Sequence, residues 1–246
     1  MNVIIYINSH ITSKKIPENV KVTRVKDEYL NYDLSYFVLS LVLNHIKHIP
    51  LYFKNQLENN WNRKMYHRPE DITVGILGFG NIGQAIGQLL QKNDFNVIGW
   101  SRSKKDVEGI KSYTEKELGN FLNKAEVLVC MLPHTPETEN ILNAELFHQL
   151  PKNAYLINVG RGAHLNEKDL ISALDSEQLS GAALDVFKEE PLPENHPFWN
   201  HPKIFVTPHT ASITNPKTIV PKMLENFKRF KNGKDLKDEV NLEKGY

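Results

Sequence analysis

The stretch "ITVGILGFGNIGQAIGQLL", from Ile72 to Leu90, decides the fold. It begins with "ITVGIL", a short apolar run that is typical of a buried strand. Three glycines in the pattern G-x-G-x-x-G follow this run, and helical periodicity continues from Asn81 to Lys92. A strand, a glycine-rich turn and a helix in this order predict a phosphate-binding turn at the helix N-terminus.

Each glycine would serve a separate purpose in such a turn. Gly78 permits the tight turn, Gly80 lets the backbone approach a pyrophosphate, and Gly83 lets helix and strand pack closely. Asn81 and Ile82 lie in the first helical turn, where free N–H groups and the helix dipole favour an anion. The alternative is a glycine-rich turn without a ligand, which the neighbouring strand and helix disfavour.

Apolar runs and helical patterns alternate through the residues that follow. Further strands are expected at the apolar runs Asn96–Trp100, 126–132, Ala154–Val159, Gly181–Phe187 and 204–207. Helices are expected at Thr114–Ala125, where Thr114 and Glu117 are spaced as a capping box, and at Asn166–Glu177. Strands this apolar predict an α/β fold with a parallel sheet that helices cover on both faces.

Both ends of the chain lie outside this alternation. Apolar residues at intervals of three and four predict a long helix from Leu34 to Ile49, which could continue to about Asn60. The segments "VIIYI" and "VKVTRV" are the strand candidates that precede it. Asn215 and Pro216 open a last helix that should stop near Gly233.

The second strand of the alternation ends in "WSRSKK", residues 100–105. NAD-binding domains usually place an acid here, which binds the ribose 2′-hydroxyl. Ser101 and Arg102 occupy the position instead, and a hydroxyl and a guanidinium would bind a 2′-phosphate that an acid would repel. The loop could also be basic without consequence. We expect NADP(H) to be the preferred cofactor, with NAD(H) possible.

Ionisable residues follow three of the later strands. Arg161 stands between two glycines in "INVGRG", and a guanidinium in that place suits bidentate capture of a carboxylate. "ALDVFKEEPLP" carries Asp185, Glu189 and Glu190, and "TPHTAS" carries His209. Because the carboxyl ends of parallel strands meet at one edge of a sheet, these residues should share an edge with the glycine turn.

These motifs, in this order, resemble the D-isomer-specific 2-hydroxyacid dehydrogenases. The similarity runs from about Asp33 to Tyr246 and covers the glycine turn, "LPHTPET" (132–138), "INVGRG", "ALDVFKEEPLP" and "TPH". "WSRSKK", "ALDVFKEEPLP" and the ending "KGY" are most similar to the glyoxylate/hydroxypyruvate reductase A branch. Each motif alone is unspecific, whereas the set is highly specific.

The resemblance implies a fold and an activity. Residues 68–211 would form a Rossmann-type doubly wound parallel sheet that binds NAD(P), and residues 34–67 a long interdomain helix with its connector. Residues 1–33 and 212–246 would be the remnant of a flavodoxin-like substrate domain. The implied reaction reduces a small 2-keto acid, such as glyoxylate or hydroxypyruvate, to the 2-hydroxy acid with NADPH. A homodimer is also implied.

The resemblance further assigns the site residues. Arg161 would bind the substrate carboxylate, His209 would be the acid/base, and Glu190 rather than Glu189 would hydrogen-bond the histidine. These roles agree with the chemistry, since protonated His209 could donate the proton that the reduced carbonyl oxygen requires. The cofactor would be lined by Leu132, Pro133, Thr138, Val159 and, on the nicotinamide side, Asp185.

Two features depart from the family. Only 33 residues precede the long helix, fewer than the ~50 that a self-standing domain needs. The glycine-rich turn that family members carry after their first strand is replaced by "NSHITSKK". A start site placed too late, a truncated gene and a shortened paralogue would look alike. Because most of the first half-domain is missing, we expect the apolar face of the Leu34–Ile49 helix to be exposed. The second hypothesis for the function is a cofactor-binding or regulatory protein without turnover.

Composition excludes other classes of function. With 30 basic and 29 acidic residues, the net charge of +1 gives no footprint for nucleic acid or an anionic membrane. No apolar run approaches the roughly 20 residues of a membrane span, and the N-terminus lacks the cationic segment of a signal peptide. The lone Cys130 cannot form an internal disulfide, so we expect a reducing, cytoplasmic location. We expect no metal site, because His45 and His48 lack a third ligand.

Overall fold

The computed structural model describes residues 2–6, 17, 20–24, 29–213 and 215–240. The chain divides into two compact units. The smaller unit comprises residues 1–30 and 213–246, and the larger comprises residues 31–212. Residues 34–67, expected to be an interdomain helix and connector, thus fall in the same unit as the predicted sheet.

The described elements follow the chain in alternating order through the larger unit. The strands are β1 (Asn2–Tyr6), β2 (Val20–Arg24), β3 (Thr73–Leu77), β4 (Asn96–Trp100), β5 (Lys111–Tyr113), β6 (Val127–Cys130), β7 (Ala154–Asn158), β8 (Leu179–Leu184) and β9 (Ile204–Val206). The α-helices are α1 (Tyr29–Ile46), α2 (Ile49–Leu57), α3 (Asn81–Lys92), α4 (Leu118–Leu122), α5 (Ala144–Gln149), α6 (Glu167–Asp175) and α7 (Pro216–Lys231).

A seven-stranded parallel sheet with the order β5-β4-β3-β6-β7-β8-β9 forms the larger unit. The chain leaves β3 towards one edge of the sheet and returns to β6 to build towards the other edge. Ligands of such sheets bind outside the carboxyl ends of the strands, where the order reverses. The predicted doubly wound sheet is confirmed, and its switch point lies between β3 and β6, beside the glycine turn.

Side chains pack closely on both faces of the sheet, and this packing fixes the strand ends from which the loops begin. Strands β6 and β7 are buried at every position. A Cβ at Gly99 would lie 2.3 Å from the ring of Phe79, and one at Gly75 would lie 2.6 Å from the Cβ of Ala125. Interiors at this density resist displacement, so the loops at the carboxyl edge start from fixed strand ends.

Several local predictions were incomplete. The Thr114–Glu117 capping box forms, with Thr114 N and Oγ1 donating to Glu117 Oε2 at 3.0 and 2.8 Å, but the α-helix that follows ends at Leu122. The short edge strand β5 and the helix α5 lay outside the predicted elements. Helix α5 is capped by Asn143, whose Oδ1 accepts from Leu146 N at 3.0 Å.

The long N-terminal helix differs most from its prediction. It breaks after Ile46, where His48 adopts a left-handed φ of 55°, and resumes as α2. The expected exposure of its apolar face was wrong, because Val38 and Val42 are fully buried. His45 stacks on Tyr155 of β7 with ring centroids 3.9 Å apart. The most exposed of the large apolar side chains, Leu57, Trp61 and Met65, lie at the end of α2 and in the segment after it.

The smaller unit contains a two-stranded parallel sheet and helix α7. Strands β1 and β2 pair in register from Asn2–Val20 to Tyr6–Arg24. The other edge of β2 is met by residues near 240, where Val240 N donates to Val22 O at 2.8 Å. Asn215 caps α7 as predicted, its side chain accepting from Lys217 N at 3.0 Å. That this unit is the remnant of a substrate domain stays a prediction.

The described residues lack the features of a membrane-spanning helix and of a metal cluster. In the described parts of the chain, no helix is both long and apolar enough to cross a membrane. Across the same residues, no three His, Cys, Asp or Glu side chains gather as ligands of a metal ion would.

Candidate active site

The glycine turn after β3 is shaped by close backbone approaches. Gly78 has a φ of 111°, and a Cβ there would lie 2.6 Å from the carbonyl carbon of Met131. A Cβ at Gly83 would lie 2.3 Å from the Gly78 carbonyl oxygen. Both positions therefore require glycine for the turn to close against β6 and for α3 to pack on the turn.

Gly80 differs from Gly78 and Gly83, because a side chain at this position would face open space. Among the described residues, no heavy atom lies within 4 Å of the position that a Cβ would take. Gly80 is the N-cap residue of α3, and no side chain caps the first helical turn. The N–H groups of Asn81 and Ile82 thus lie in the part of a helix that lacks intrahelical partners. The arrangement can receive an anion at this end.

The residues after β4 lie beside the turn. The turn and the strand end are joined directly, since Trp100 O accepts from both Gly78 N and Phe79 N, at 3.0 and 2.8 Å. Ser101 Oγ donates to Ser103 O at 2.7 Å, which folds the loop back on itself. Arg102 is exposed. Arg102 therefore follows within two residues of the strand end that hydrogen-bonds the glycine turn.

The "LPHTPET" loop follows β6 and is held by its own threonine. Thr138 Oγ1 accepts from Thr135 N and donates to Pro133 O, both at 2.8 Å. Leu132 and Val159 are almost completely buried beneath the edge of the sheet. These four expected cofactor-lining residues lie at the carboxyl ends of β6 and β7, next to the switch point.

The loop that carries Arg161 is fixed by a buried amide. Asn158 is fully buried at the end of β7; its Oδ1 accepts from Gly160 N at 3.2 Å and its Nδ2 donates to Arg161 O at 3.3 Å. The guanidinium of Arg161 donates from Nη1 to Gly160 O at 2.7 Å. A Cβ at Gly162 would lie 1.9 Å from the carbonyl carbon of Phe187, so this loop touches the backbone that follows β8.

Glu190 and His209 form the ion pair that the sequence suggested. His209 Nδ1 lies 2.7 Å from Glu190 Oε2, while Glu190 Oε1 accepts from Phe187 N at 2.9 Å. An ionised carboxylate only accepts, so Nδ1 carries the hydrogen and Nε2 is the ring nitrogen left for a substrate. About half of the His209 side chain is exposed to solvent. The pair can take up and deliver a proton at this edge.

Asp185 clamps the backbone on both sides of His209. Its carboxylate is buried and accepts from Thr207 Oγ1 at 2.6 Å, Thr210 N at 2.9 Å and Ala211 N at 2.9 Å. His209 itself has a left-handed φ of 50°, which costs about 1–3 kcal/mol for a residue other than glycine. The three hydrogen bonds hold that strained conformation. The structure therefore shows Asp185 as an anchor of the His209 loop.

The predicted residues converge through a chain of contacts. Gly162 presses on Phe187, Phe187 N binds Glu190, and Glu190 binds His209. Arg161, the next residue before Gly162, is thus tied to the ion pair by backbone contact. Sequence reasoning missed the supporting residues Asn158 and His164. Asn158 stands inside the quoted "INVGRG" motif, where a polar residue ending an apolar strand was the available signal.

Comparison with known proteins settles the family. The model of the D-isomer specific 2-hydroxyacid dehydrogenase NAD binding domain matches residues 39–211. The chain belongs to this family. The resemblance stated from the motifs is confirmed. The similarity to the glyoxylate/hydroxypyruvate reductase A branch is confirmed as well, because the curated relatives include proteins of that name.

Two such relatives show the extent of the similarity. The protein from Photorhabdus laumondii is 40% identical over 232 residues, which cover 94% of this chain and 74% of the relative. The protein from Yersinia enterocolitica is 37% identical over 232 residues, with the same shares. The matched region thus spans about three quarters of each relative.

Solved structures agree. A D-isomer specific 2-hydroxyacid dehydrogenase from Xanthobacter autotrophicus, in complex with NADPH and MES, superposes with a TM-score of 0.85 at 39% identity, covering 94% of this chain and 96% of that one. The NADPH-dependent glyoxylate/hydroxypyruvate reductase from Sinorhizobium meliloti, in complex with NADP and sulfate, gives a TM-score of 0.88 at 34% identity, covering 98% and 80%.

Proposed function

We propose that this protein reduces small 2-keto acids of the glyoxylate or hydroxypyruvate type to 2-hydroxy acids, with NADPH as reductant. The observation that carries the proposal is the 2.7 Å contact between His209 and Glu190, joined by backbone contact to the Arg161 loop. This pair lies at the carboxyl edge that also holds the glycine turn. The names of the relatives from Photorhabdus laumondii and Sinorhizobium meliloti support the same substrate class.

The residues present fit a dinucleotide cofactor. Gly80 has an open flank and the first turn of α3 is uncapped, so Gly78, Gly80, Asn81, Ile82 and Gly83 would hold the pyrophosphate. Ser101 and Arg102 would bind the 2′-phosphate, which favours NADP(H) over NAD(H). Leu132, Pro133, Thr138 and Val159 would line the remainder. Solved relatives in complex with NADPH and NADP support this choice.

The chain's own side chains would then orient the substrate and supply the proton. Arg161 would bind the carboxylate in bidentate fashion and so turn the keto group towards the cofactor and His209. When bound, NADPH supplies the hydride. Protonated His209 would donate from Nε2 to the carbonyl oxygen, while Glu190 holds Nδ1–H. Asp185 would keep His209 in place through its hydrogen bonds to Thr210 N and Ala211 N, on the nicotinamide side of the cofactor that the resemblance implies.

A steady-state assay tests the proposal. The purified chain is given NADPH with glyoxylate or hydroxypyruvate, and oxidation of NADPH is followed by its absorbance. Turnover that saturates with either acid supports the reductase. NADPH binding without turnover would favour the second candidate, a cofactor-binding or regulatory protein.

We also propose a homodimer, formed through an exposed apolar arm, residues 49–66. Phe53, Leu57, Trp61, Met65 and Tyr66 are 66%, 86%, 91%, 92% and 59% exposed. With about 150–250 Å² per aromatic side chain, their exposed surface approaches the roughly 800 Å² that each partner buries in a stable dimer. A second copy of the chain is the occupant this area fits.

The arm is held in shape, which favours a preformed interface. His48 Nε2 donates to Met65 O at 2.8 Å, and Lys64 N donates to Tyr52 OH at 3.2 Å. Sedimentation of the wild type should give the mass of a dimer, and Trp61→Glu should give a monomer. Trp199→Glu, at a tryptophan that is 49% exposed elsewhere, is the control and should stay dimeric. A monomeric wild type would contradict the proposal.

A cytoplasmic location completes the proposal. The lone cysteine, Cys130, is buried, and burial raises the pKa of its thiol to about 12. An unreactive, unpaired thiol suits a reducing compartment.

A further inference from the structure

His164 lies at the point where the cofactor-lining loop and the arginine loop meet. It is fully buried, three residues after Arg161, at the end of a short 3₁₀ helix. Its Nδ1 lies 3.2 Å from Arg161 N, and its Nε2 lies 3.3 Å from Pro133 O. One imidazole ring therefore bridges the loops that follow the neighbouring strands β6 and β7.

The two contacts specify the position of the ring hydrogen. A backbone N–H can only donate, so Nδ1 must be bare where it meets Arg161 N. A carbonyl can only accept, so Nε2 must carry the hydrogen where it meets Pro133 O. The opposite tautomer would satisfy neither bond, and the cation would satisfy only the bond to Pro133.

The surroundings of the ring favour this neutral form. The groups that face it are the thiol of Cys130, with Sγ 3.7 Å from Nδ1, the ring of His134, with centroids 6.1 Å apart, and the charge of Arg161. Burial, above all, lowers the pKa of His164 to about 4; the hydrogen bond to Pro133 opposes this, and the charges of His134 and Arg161 reinforce it. At neutral pH the ring is uncharged.

The adjoining glycine leaves room for the ring. A Cβ at Gly160 would lie 3.0 Å from His164 Nδ1 and 3.2 Å from its Cε1, closer than an ordinary contact. The glycine before Arg161 therefore serves the histidine as well as the arginine. Gly160 and Arg161, which are neighbours in "GRGAH", therefore both depend on the position of the His164 ring.

We propose that His164 is a positioning residue, which holds the substrate-binding Arg161 in register with the cofactor-lining loop through a neutral ring protonated at Nε2. The inference rests on the proposed function, since it assigns the two loops to substrate and cofactor. His164 touches neither reacting atom. Its effect passes through Arg161 on one side and through Pro133 on the other.

Two isosteric substitutions separate the two contacts. In His164→Asn the amide oxygen takes the place of Nδ1 and keeps the acceptor for Arg161 N, but the donor to Pro133 O is lost. In His164→Gln the amide nitrogen takes the place of Nε2 and keeps the donor, but the acceptor for Arg161 N is lost. His164→Leu removes both. His148→Asn, at an exposed histidine on α5, is the matched control.

The expected outcome is a split between two binding constants. His164→Gln should raise KM for glyoxylate, and Kd for the non-reducible analogue oxalate, about 3- to 10-fold, with Kd for NADPH nearly unchanged. His164→Asn should do the reverse by a similar factor, and His164→Leu should show both losses. Turnover at saturation should change less than KM in the Gln variant. Equal effects of Asn and Gln on both constants would reduce the ring to a packing role and overturn the proposal.

Nitrogen NMR of the wild type tests the tautomer without any turnover. The ring nitrogens of His164 should show hydrogen on Nε2 alone from pH 8 down to pH 5.5. Hydrogen on Nδ1, or a cation within that range, would overturn the proposal even if the variants fail to fold. Absence of keto acid reduction in the wild type would contradict the proposed function, while the NMR result and the NADPH affinities would still decide the role of His164.

Discussion

The loops after β7, β8 and β9 and the turn after β3 serve the same edge of the sheet by different means. The proposed substrate side relies on side chains: Arg161, Glu190 and His209, each held by another residue. The cofactor side relies on backbone N–H groups, and it requires that Gly78 and Gly80 carry no side chain. Removing a side chain should therefore impair chemistry on the first side, and adding one should impair binding on the second.

The largest effect should come from the proton donor. His209→Asn removes the acid while leaving the cofactor turn untouched, so turnover should fall ~10²-fold or more and Kd for NADPH should stay within about twofold. Stopped assays of keto acid reduction, with fluorescence titration of NADPH, measure both quantities.

The neighbouring acids supply the control for that variant. Glu190→Gln presents an amide to Nδ1 and should lower turnover by about tenfold or more, because an amide no longer fixes the tautomer of His209. Glu189→Gln changes the adjacent acid and should have little effect. If His209→Asn keeps most of its rate, or if Glu189 matters more than Glu190, the assignment on the substrate side is wrong.

Two glycines of the turn should respond to alanine in opposite ways. Gly80 has extended backbone and open space, so Gly80→Ala should fold with an unchanged Tm but lose NADPH affinity by about 10- to 100-fold, as the methyl group fills the approach of the pyrophosphate. Gly83→Ala places a Cβ 2.3 Å from the Gly78 carbonyl oxygen. Gly83→Ala should therefore act mainly on the stability of the fold and lower the Tm.

Thermal melts without cofactor separate these two outcomes. Equal loss of Tm in both variants would mean that Gly80 serves the fold, and the cofactor side would then lack its distinguishing property. An unchanged NADPH affinity in Gly80→Ala would have the same meaning.

Cofactor choice should depend on one exposed charge. Arg102→Ala removes the guanidinium expected to bind the 2′-phosphate, so the preference for NADPH over NADH should narrow by about 1.5–3 kcal/mol. Fluorescence titrations with both cofactors give this difference directly. Lys104→Ala, two residues further along the loop, should change it less. A wild type that binds NADH as tightly as NADPH would contradict the prediction.

The fold was predictable where local signals were strong. The strands β3, β4, β6 and β7, the glycine turn and the cap at Asn166 were read from apolar runs and turn chemistry. The edge strand β5 carries only three residues and little apolar signal. The break at His48 could not be predicted, because its left-handed backbone is adopted by a histidine rather than by a glycine.

The site was predictable in its charged residues and less so in their supports. Arg161, Glu190 and His209 stand out because strand ends gather at one edge. The three hydrogen bonds that the Asp185 carboxylate accepts join residues more than twenty positions apart. The bridge made by His164 joins residues thirty-one positions apart. Sequence spacing carries no signal for such pairs, which only the packed sheet brings together.

The comparison also predicts how stability depends on pH. The exposed His209 is the proposed proton donor, whereas His45 and His164 are framework residues, and burial lowers the pKa of each of these two buried histidines to about 4. Their ordinary pKa is about 6.5, so between pH 6.5 and 4 the unfolded chain binds protons that the folded chain does not. The free energy of unfolding should therefore fall as the pH falls through this window and change little above it.

His45→Phe isolates one of these contributions. Phenylalanine preserves the stack on Tyr155 but cannot titrate, so the difference in unfolding free energy between pH 7.5 and pH 5 should shrink by up to about 2 kcal/mol. Urea melts at the two pH values measure this, with His148→Asn as the exposed control. If the difference is unchanged, His45 must gain its proton in the folded protein as readily as in the unfolded chain. The stacked, buried ring would then open to water while the sheet stays folded, and α1 could not be counted as part of the rigid frame beneath the site.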